Sequence, residues 1–164
     1  MHAHTQSHRF AHAVLGASLL SLLASASAVA GTCPPDKIGK NALAGAPTMP
    51  SGVTDRELAS IDLTKEKVKL NQRRLRLRHM TIQPGGVVPL HSHADRPALI
   101  MVDSGELYEY SSQCREPLLH KAGDISREAQ GTLHWWKNTG TAPVELTIAD
   151  IVNDGKPDPR KDGM

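Results

Sequence analysis

Three histidines, His91, His93 and His134, have types and spacing that could do chemistry. His91 and His93 are two positions apart, and along a β-strand residues two apart face the same side. A strand at this place aims both imidazoles into one space, and His134 could add a third nitrogen from a neighbouring strand. Transition metals are held by nitrogens converging at about 2 Å. The chemistry implied is therefore binding of one divalent transition metal. Asp95, two residues beyond His93, is a candidate extra ligand on the same strand phase, although Pro97 should bend the chain there. Arg96 is a candidate for holding a substrate carboxylate in bidentate fashion, a structural ion pair being the alternative. Tyr108, in phase with Tyr110, is a candidate substrate-binding residue that could reach a cavity as a proton donor; core packing is the other reading. Trp135 and Trp136 flank a ligand position, so one should face inward and one outward. His79 and His120 lie outside these stretches and read as ordinary satisfied histidines.

Glycines frame both stretches. The first runs from Gly85 through His91 and His93 to Gly105, and the second from Gly123 through Gly131 and His134 to Asn138. Together they resemble the paired motifs of the cupin superfamily, G-x5-H-x-H-x3–4-E-x6-G and G-x5-P-x-G-x2-H-x3-N, over roughly residues 74 to 152. Two positions depart from the pattern: Ala98 stands where the motif has its carboxylate, and Ala129 replaces the proline. The resemblance implies an all-β fold, a single cupin β-barrel built as a jelly-roll-like double sheet. It implies a metal on His91, His93 and His134, in an arrangement similar to the three-histidine sites of thiol dioxygenases. Iron is then the favoured metal, with zinc, nickel, manganese or copper as alternatives. Three neutral ligands leave the metal's +2 charge uncompensated, which favours an anionic or chelating small molecule. The activity implied is a metal-dependent dioxygenase acting on a small organic substrate. A non-catalytic metal or ligand binder, and a metal-independent isomerase or lyase, are the alternatives. The resemblance also implies pairing of barrels into a homodimer.

The elements that must position the histidines read as short strands punctuated by Gly, Pro and Asp. Val68–Leu70 is a weak strand. Arg74–Gln83 is a stronger one, with Leu75 and Leu77 on one phase and Met80 and Ile82 on the other, which predicts a bulge near Arg78. In that reading Arg73, Arg74, Arg76 and Arg78 form a solvated face. Ala98–Val102, Leu107–Ser111, Leu118–Lys121 and Val144–Val152 complete the pattern, with turns at Asp103-Ser104-Gly105 and Ala122-Gly123-Asp124. Residues 31–54 are rich in Pro and Gly and read as an extended N-terminal arm. Asp55–Ile61 reads as a short helix capped by Thr54. The barrel domain is placed at 55–152, and 153–164 reads as a loose tail.

The chain has 164 residues, and the first thirty carry an export pattern. An apolar run from Ala13 to Leu23 leads to Ala28-Val29-Ala30, a small-residue cleavage signature before Gly31. The apolar run is too short for a resident transmembrane helix. Expected is a periplasmic or secreted protein, free of the membrane after cleavage. In an oxidising compartment Cys33 and Cys114 are expected to bridge, two buried free thiols being the alternative. The formal net charge is +2 and falls by one with Arg9 of the leader, so no basic excess points to nucleic acid or anionic lipid.

Overall fold

The protein's structure, a computed structural model, describes residues 33–39 and 43–156. The expected leader over 1–30, and residues 157–164 of the expected tail, lie outside the described residues. Eight strands follow one 3₁₀ turn, Pro35–Lys37: β1 Ser51–Asp62, β2 Arg73–Ser92, β3 Ala98–Ser104, β4 Glu106–Ser111, β5 Leu118–Lys121, β6 Ile125–Glu128, β7 Leu133–Lys137 and β8 Val144–Asn153. All pairings are antiparallel, in the order β5-β4-β7-β2-β8-β3-β6, with β1 along β2.

The 20-residue β2 makes this curled sheet possible. Its first half, Arg73–Ile82, pairs with β8, and its second half, Val87–Ser92, pairs with β7. One strand thus belongs to two half-sheets, β8-β3-β6 and β7-β4-β5, and curls them around a common interior. The change of partner falls at Pro84-Gly85-Gly86. A Cβ on Gly86 would stand 2.7 Å from the Gln83 carbonyl oxygen and 2.9 Å from Ile82 Cγ2, so only glycine fits this bend. Asn138 pins it: backbone bonds join Gly85 N–H to the Asn138 carbonyl and Asn138 N–H to the Gly86 carbonyl. The Asn138 side chain donates to the Ile82 and Ala142 carbonyls.

The apolar core lies at one end of the barrel, with Met80, Ile82, Val88, Ile100, Val102, Leu107, Trp136, Val144, Leu146 and Ile148 in contact. The other end of the interior is polar. Here β2 departs from expectation. Its alternation runs unbroken, with Arg76, Arg78, Met80 and Ile82 inward and Leu75 and Leu77 outward. The basic run is therefore no solvated face. Arg76 donates two hydrogen bonds to Asp150, at 2.9 and 2.8 Å, and Arg78 donates to Asp150 and Asp55. The apparent phase slip came from counting arginine as outward. The irregularity near Arg78 belongs to the partner strand, where the register of β1 shifts between Glu57 and Ala59.

β1 itself corrects the helix expected over Asp55–Ile61. The segment is strand from Ser51, because pairing the long outer edge of β2 satisfies backbone groups that local propensity does not count. Val68–Leu70 is not a strand; it lies in the turn between β1 and β2, where Lys69 and Gln72 adopt positive φ. Ahead of β1, Cys33 is bridged to Cys114, 81 positions away, with Ile38 bridging Cys114 through the backbone. Closing a loop of that length contributes about 4.5 kcal/mol in the chain-entropy model. Asn153–Lys156 is not loose: Lys156 reaches Asp95, and Asp154 N–H donates to the Gln72 carbonyl.

Candidate metal centre

His91 and His93 come from the end of β2, and His134 faces His91 across the β2–β7 ladder. The ladder slips between Val88 and His91. This bulge at Pro89-Leu90 has a definite effect. Val88 points inward, so strict alternation would turn His91 outward; the extra residue restores His91 and His93 to the interior. His93 and His134 are buried, and His91 is half-buried at the mouth.

The three Nε2 atoms form a nearly equilateral triangle, His91–His93 3.1 Å, His93–His134 3.0 Å and His134–His91 3.0 Å. Their tautomers follow from the opposite ring nitrogens. His91 Nδ1 is 2.8 Å from the Pro89 carbonyl, and His93 Nδ1 is 2.6 Å from the Arg96 carbonyl. A carbonyl only accepts, so both Nδ1 atoms carry the proton and both Nε2 atoms present lone pairs. Two lone pairs facing each other at 3.1 Å repel unless a cation lies between them. Burial, then the closeness of the His134 ring, holds His91 well below the usual histidine range; burial first also takes His93 down to about 3. Both rings are thus neutral donors at neutral pH. Three nitrogens about 2.1 Å from one ion are about 3.0 Å apart on an octahedral face and about 3.4 Å apart in a tetrahedron. The observed triangle fits one face of an octahedron, and the donor set fits a transition metal.

Behind His134 lies a buried polar chain. Glu109 Oε1 is 3.0 Å from His134 Nδ1, and Glu109 Oε2 is 2.9 Å from His120 Nε2. Burial alone would raise the Glu109 carboxyl, but hydrogen bonds from His120 and His134 outweigh it and hold it at about 2. Glu109 is therefore an ionised acceptor for the His134 Nδ1–H, the arrangement that orients metal-bound histidines. Trp136 Nε1 lies 2.9 Å from the same Nδ1, which can satisfy only one of them; a metal on Nε2 selects Glu109. Glu128, bonded by Ser126 and 3.4 Å from His134 Nδ1, is raised by burial.

A family model for the cupin domain matches residues 78–150. Residues 78–150 are thus a cupin domain. A predicted oxalate decarboxylase from Thermotoga maritima superposes with a TM-score of 0.50 at 20% identity, covering 70% of this chain and 99% of that one. The cupin domain of an XRE-family transcriptional regulator from Enterobacter cloacae gives 0.47 at 18% identity, over 61% and 96%. An oxalate oxidase bound to the substrate analogue glycolate gives 0.48 at 20%, over 73% and 67%. At these identities the likeness is one of fold. No curated protein matches the sequence.

In this cupin the motif carboxylate is absent at Ala98, yet Ala98 is paired on both sides with acids, Asp150 on β8 and Glu128 on β6. Neither reaches the triangle: Asp150 is held by Arg76 and Arg78, and Glu128 meets His134 at Nδ1. Asp95 is not a ligand either. Its carboxylate is tied to Arg73, Asn153 and Lys156, with Lys156 first among the partners that hold it ionised. Arg96 contributes its carbonyl to His93, and its positive charge helps keep both β2 histidines neutral. Tyr108 faces away from the cavity, because Leu107 and Glu109 take the inward phase of β4. Tyr110 stacks on Trp135 at 3.7 Å, and Trp136 is the inward tryptophan. Sequence reasoning did not single out Glu109, Glu128 or Asp150 and took His120 for a bystander. The signal was present: Glu109 shares the phase of Leu107, and Asp150 the phase of Leu146, Ile148 and Val152. An acid on the apolar phase of a strand must be buried with a partner.

Proposed function

We propose that this cupin is an exported metalloenzyme of the dioxygenase type, acting on a small organic substrate at a centre held by His91, His93 and His134. The observation that supports it is the triangle of Nε2 lone pairs, with two Nδ1 protons fixed on carbonyls and the third facing Glu109. These residues hold and orient the metal; Trp136 and the apolar wall behind it keep water away. Bound there, iron supplies Lewis-acid polarisation and one-electron chemistry, whereas zinc supplies only the first. With no carboxylate at Ala98 the centre keeps its positive charge, which favours an anionic or chelating substrate. Zinc, nickel, manganese and copper can occupy the same nitrogens.

Export rests on the leader pattern over 1–30, and the Cys33–Cys114 bridge is compatible with an oxidising compartment. Among the described residues no helix is long and apolar enough to cross a membrane. A non-catalytic metal binder is the second reading, favoured by how little space the barrel leaves beside the histidines, about 20 Å³. Oxygen uptake by iron-loaded protein, measured with thiols, diketones and phenolic acids, separates the two. Uptake with one substrate class and none after zinc loading is expected of the enzyme. Stoichiometric iron with no uptake in any class points to the binder.

A further inference from the structure

His120 stands outside the metal triangle, and the function proposed above gives it no task. It lies inward on β5 and is buried, and its Nδ1 has no hydrogen-bond partner among the described residues. A buried nitrogen without a partner costs stability, and an apolar ring would pack there without that cost. What the imidazole gains is on its other side. Its Nε2 lies 2.9 Å from Glu109 Oε2, and a carboxylate only accepts, so Nε2 donates. The other oxygen, Oε1, is 3.0 Å from His134 Nδ1. Topology makes this row possible. Strands β5, β4 and β7 lie side by side, with His120 opposite Leu107, Glu109 opposite Trp136 and Ser111 opposite His134. One carboxylate thus spans both ladders diagonally, with one oxygen for each histidine.

We propose that His120 is a positioning residue for the metal centre, acting through Glu109 on His134. Its Nε2–H fixes the rotation of the carboxylate and occupies Oε2, which leaves Oε1 to take the His134 Nδ1–H. Without that bond the carboxylate is free to turn away from His134. Trp136 Nε1–H, 2.9 Å from the same Nδ1, then favours the opposite tautomer, whose Nε2 carries the proton and has no lone pair for a metal. The three ligands are therefore unequal. His91 and His93 are backed by neutral carbonyls and His134 by a carboxylate, which makes its ring the more basic donor. The proposal rests on the three-histidine centre but not on the reaction assigned to it.

The test is the zinc affinity of the full chain, measured by competition with a chromophoric chelator. His120→Phe keeps a ring to stack on Trp136, now 4.8 Å away, and removes the N–H. His120→Gln removes the ring and keeps an N–H at similar reach. Losing an outer partner of this kind weakens metal binding about 10–100-fold. That loss is expected in His120→Phe, with His120→Gln near wild type. A residue that served packing alone would give the opposite order. His120→Leu, smaller and equally unable to donate, carries the same expectation as His120→Phe and covers a ring that does not fit. In zinc-loaded protein the His134 Nδ1 proton resonance should move upfield in His120→Phe and hold its place in His120→Gln. Wild-type affinity in every variant, equal loss in all, or loss confined to His120→Gln overturns the proposal and leaves the centre intact. A wild type that takes up no zinc overturns the centre, and the proposal with it.

Discussion

At the scale of single residues, this cupin fixes proton positions before any metal arrives. The carbonyls of Pro89 and Arg96 and the carboxylate of Glu109 each face one Nδ1. The neutral state of His91 and His93 has a consequence for stability. Their folded pKa values are depressed, so between about 6.5, the unfolded value, and about 3, the value for His93, the unfolded chain binds protons the native chain does not. The stability they contribute is complete above about pH 6.5 and is lost progressively as pH falls below it. Glu109 and Asp150, held ionised by hydrogen bonds and by arginine against the effect of burial, add a second loss that begins near the ordinary carboxylate range. Thermal melts of chelator-treated protein should therefore fall steadily from pH 7 to pH 5. A flat melting temperature over that window would contradict neutral, buried histidines. The ligands were legible in the sequence because His-x-His with framing glycines specifies a strand, a face and a turn together. Glu109 and His120 were not, because their pairing depends on β4 lying between β5 and β7, which one strand's alternation cannot reveal.

At the scale of elements, β2 carries most of the architecture. Its glycine bend changes partners, its bulge re-aims His91, and its arginines meet Asp150 from β8. Strand periodicity located β2, β3, β4, β5 and β8, but polarity misled the assignment of faces. Side-chain polarity alone puts leucine inward and arginine outward, whereas two buried acids draw Arg76 and Arg78 in and leave Leu75 and Leu77 exposed. β1 was read as helix because its own residues favour one, and only the open edge of β2 explains the strand. Asp150→Asn tests the buried network. Removing one partner of a buried ion pair costs about 3–5 kcal/mol. Urea unfolding should register that loss with an unchanged m-value; a midpoint equal to wild type would show that the arginines are not held by Asp150.

At the scale of the whole molecule, inversion of β2 gives the sheet an apolar outer face, with Ile61, Leu75, Leu77, Leu99, Met101 and Ile125 all substantially exposed. Leu75 pairs with Ile61, and Met101 with Ile125, so these side chains lie on adjoining strands. Contiguous apolar surface of this kind marks association sites. For the homodimer that the cupin resemblance implies we propose this face as the seam; sedimentation should then find wild type as a dimer and Leu75→Glu with Leu77→Glu as a monomer. An equally dimeric double variant would move the contact elsewhere. None of this bears on function unless the histidines hold a metal. Elemental analysis of the purified protein decides that most directly. One equivalent of a transition metal in wild type, and none in His91→Ala or His134→Ala variants that retain the wild-type circular dichroism, is the predicted result. Folded variants that keep a full equivalent would contradict it.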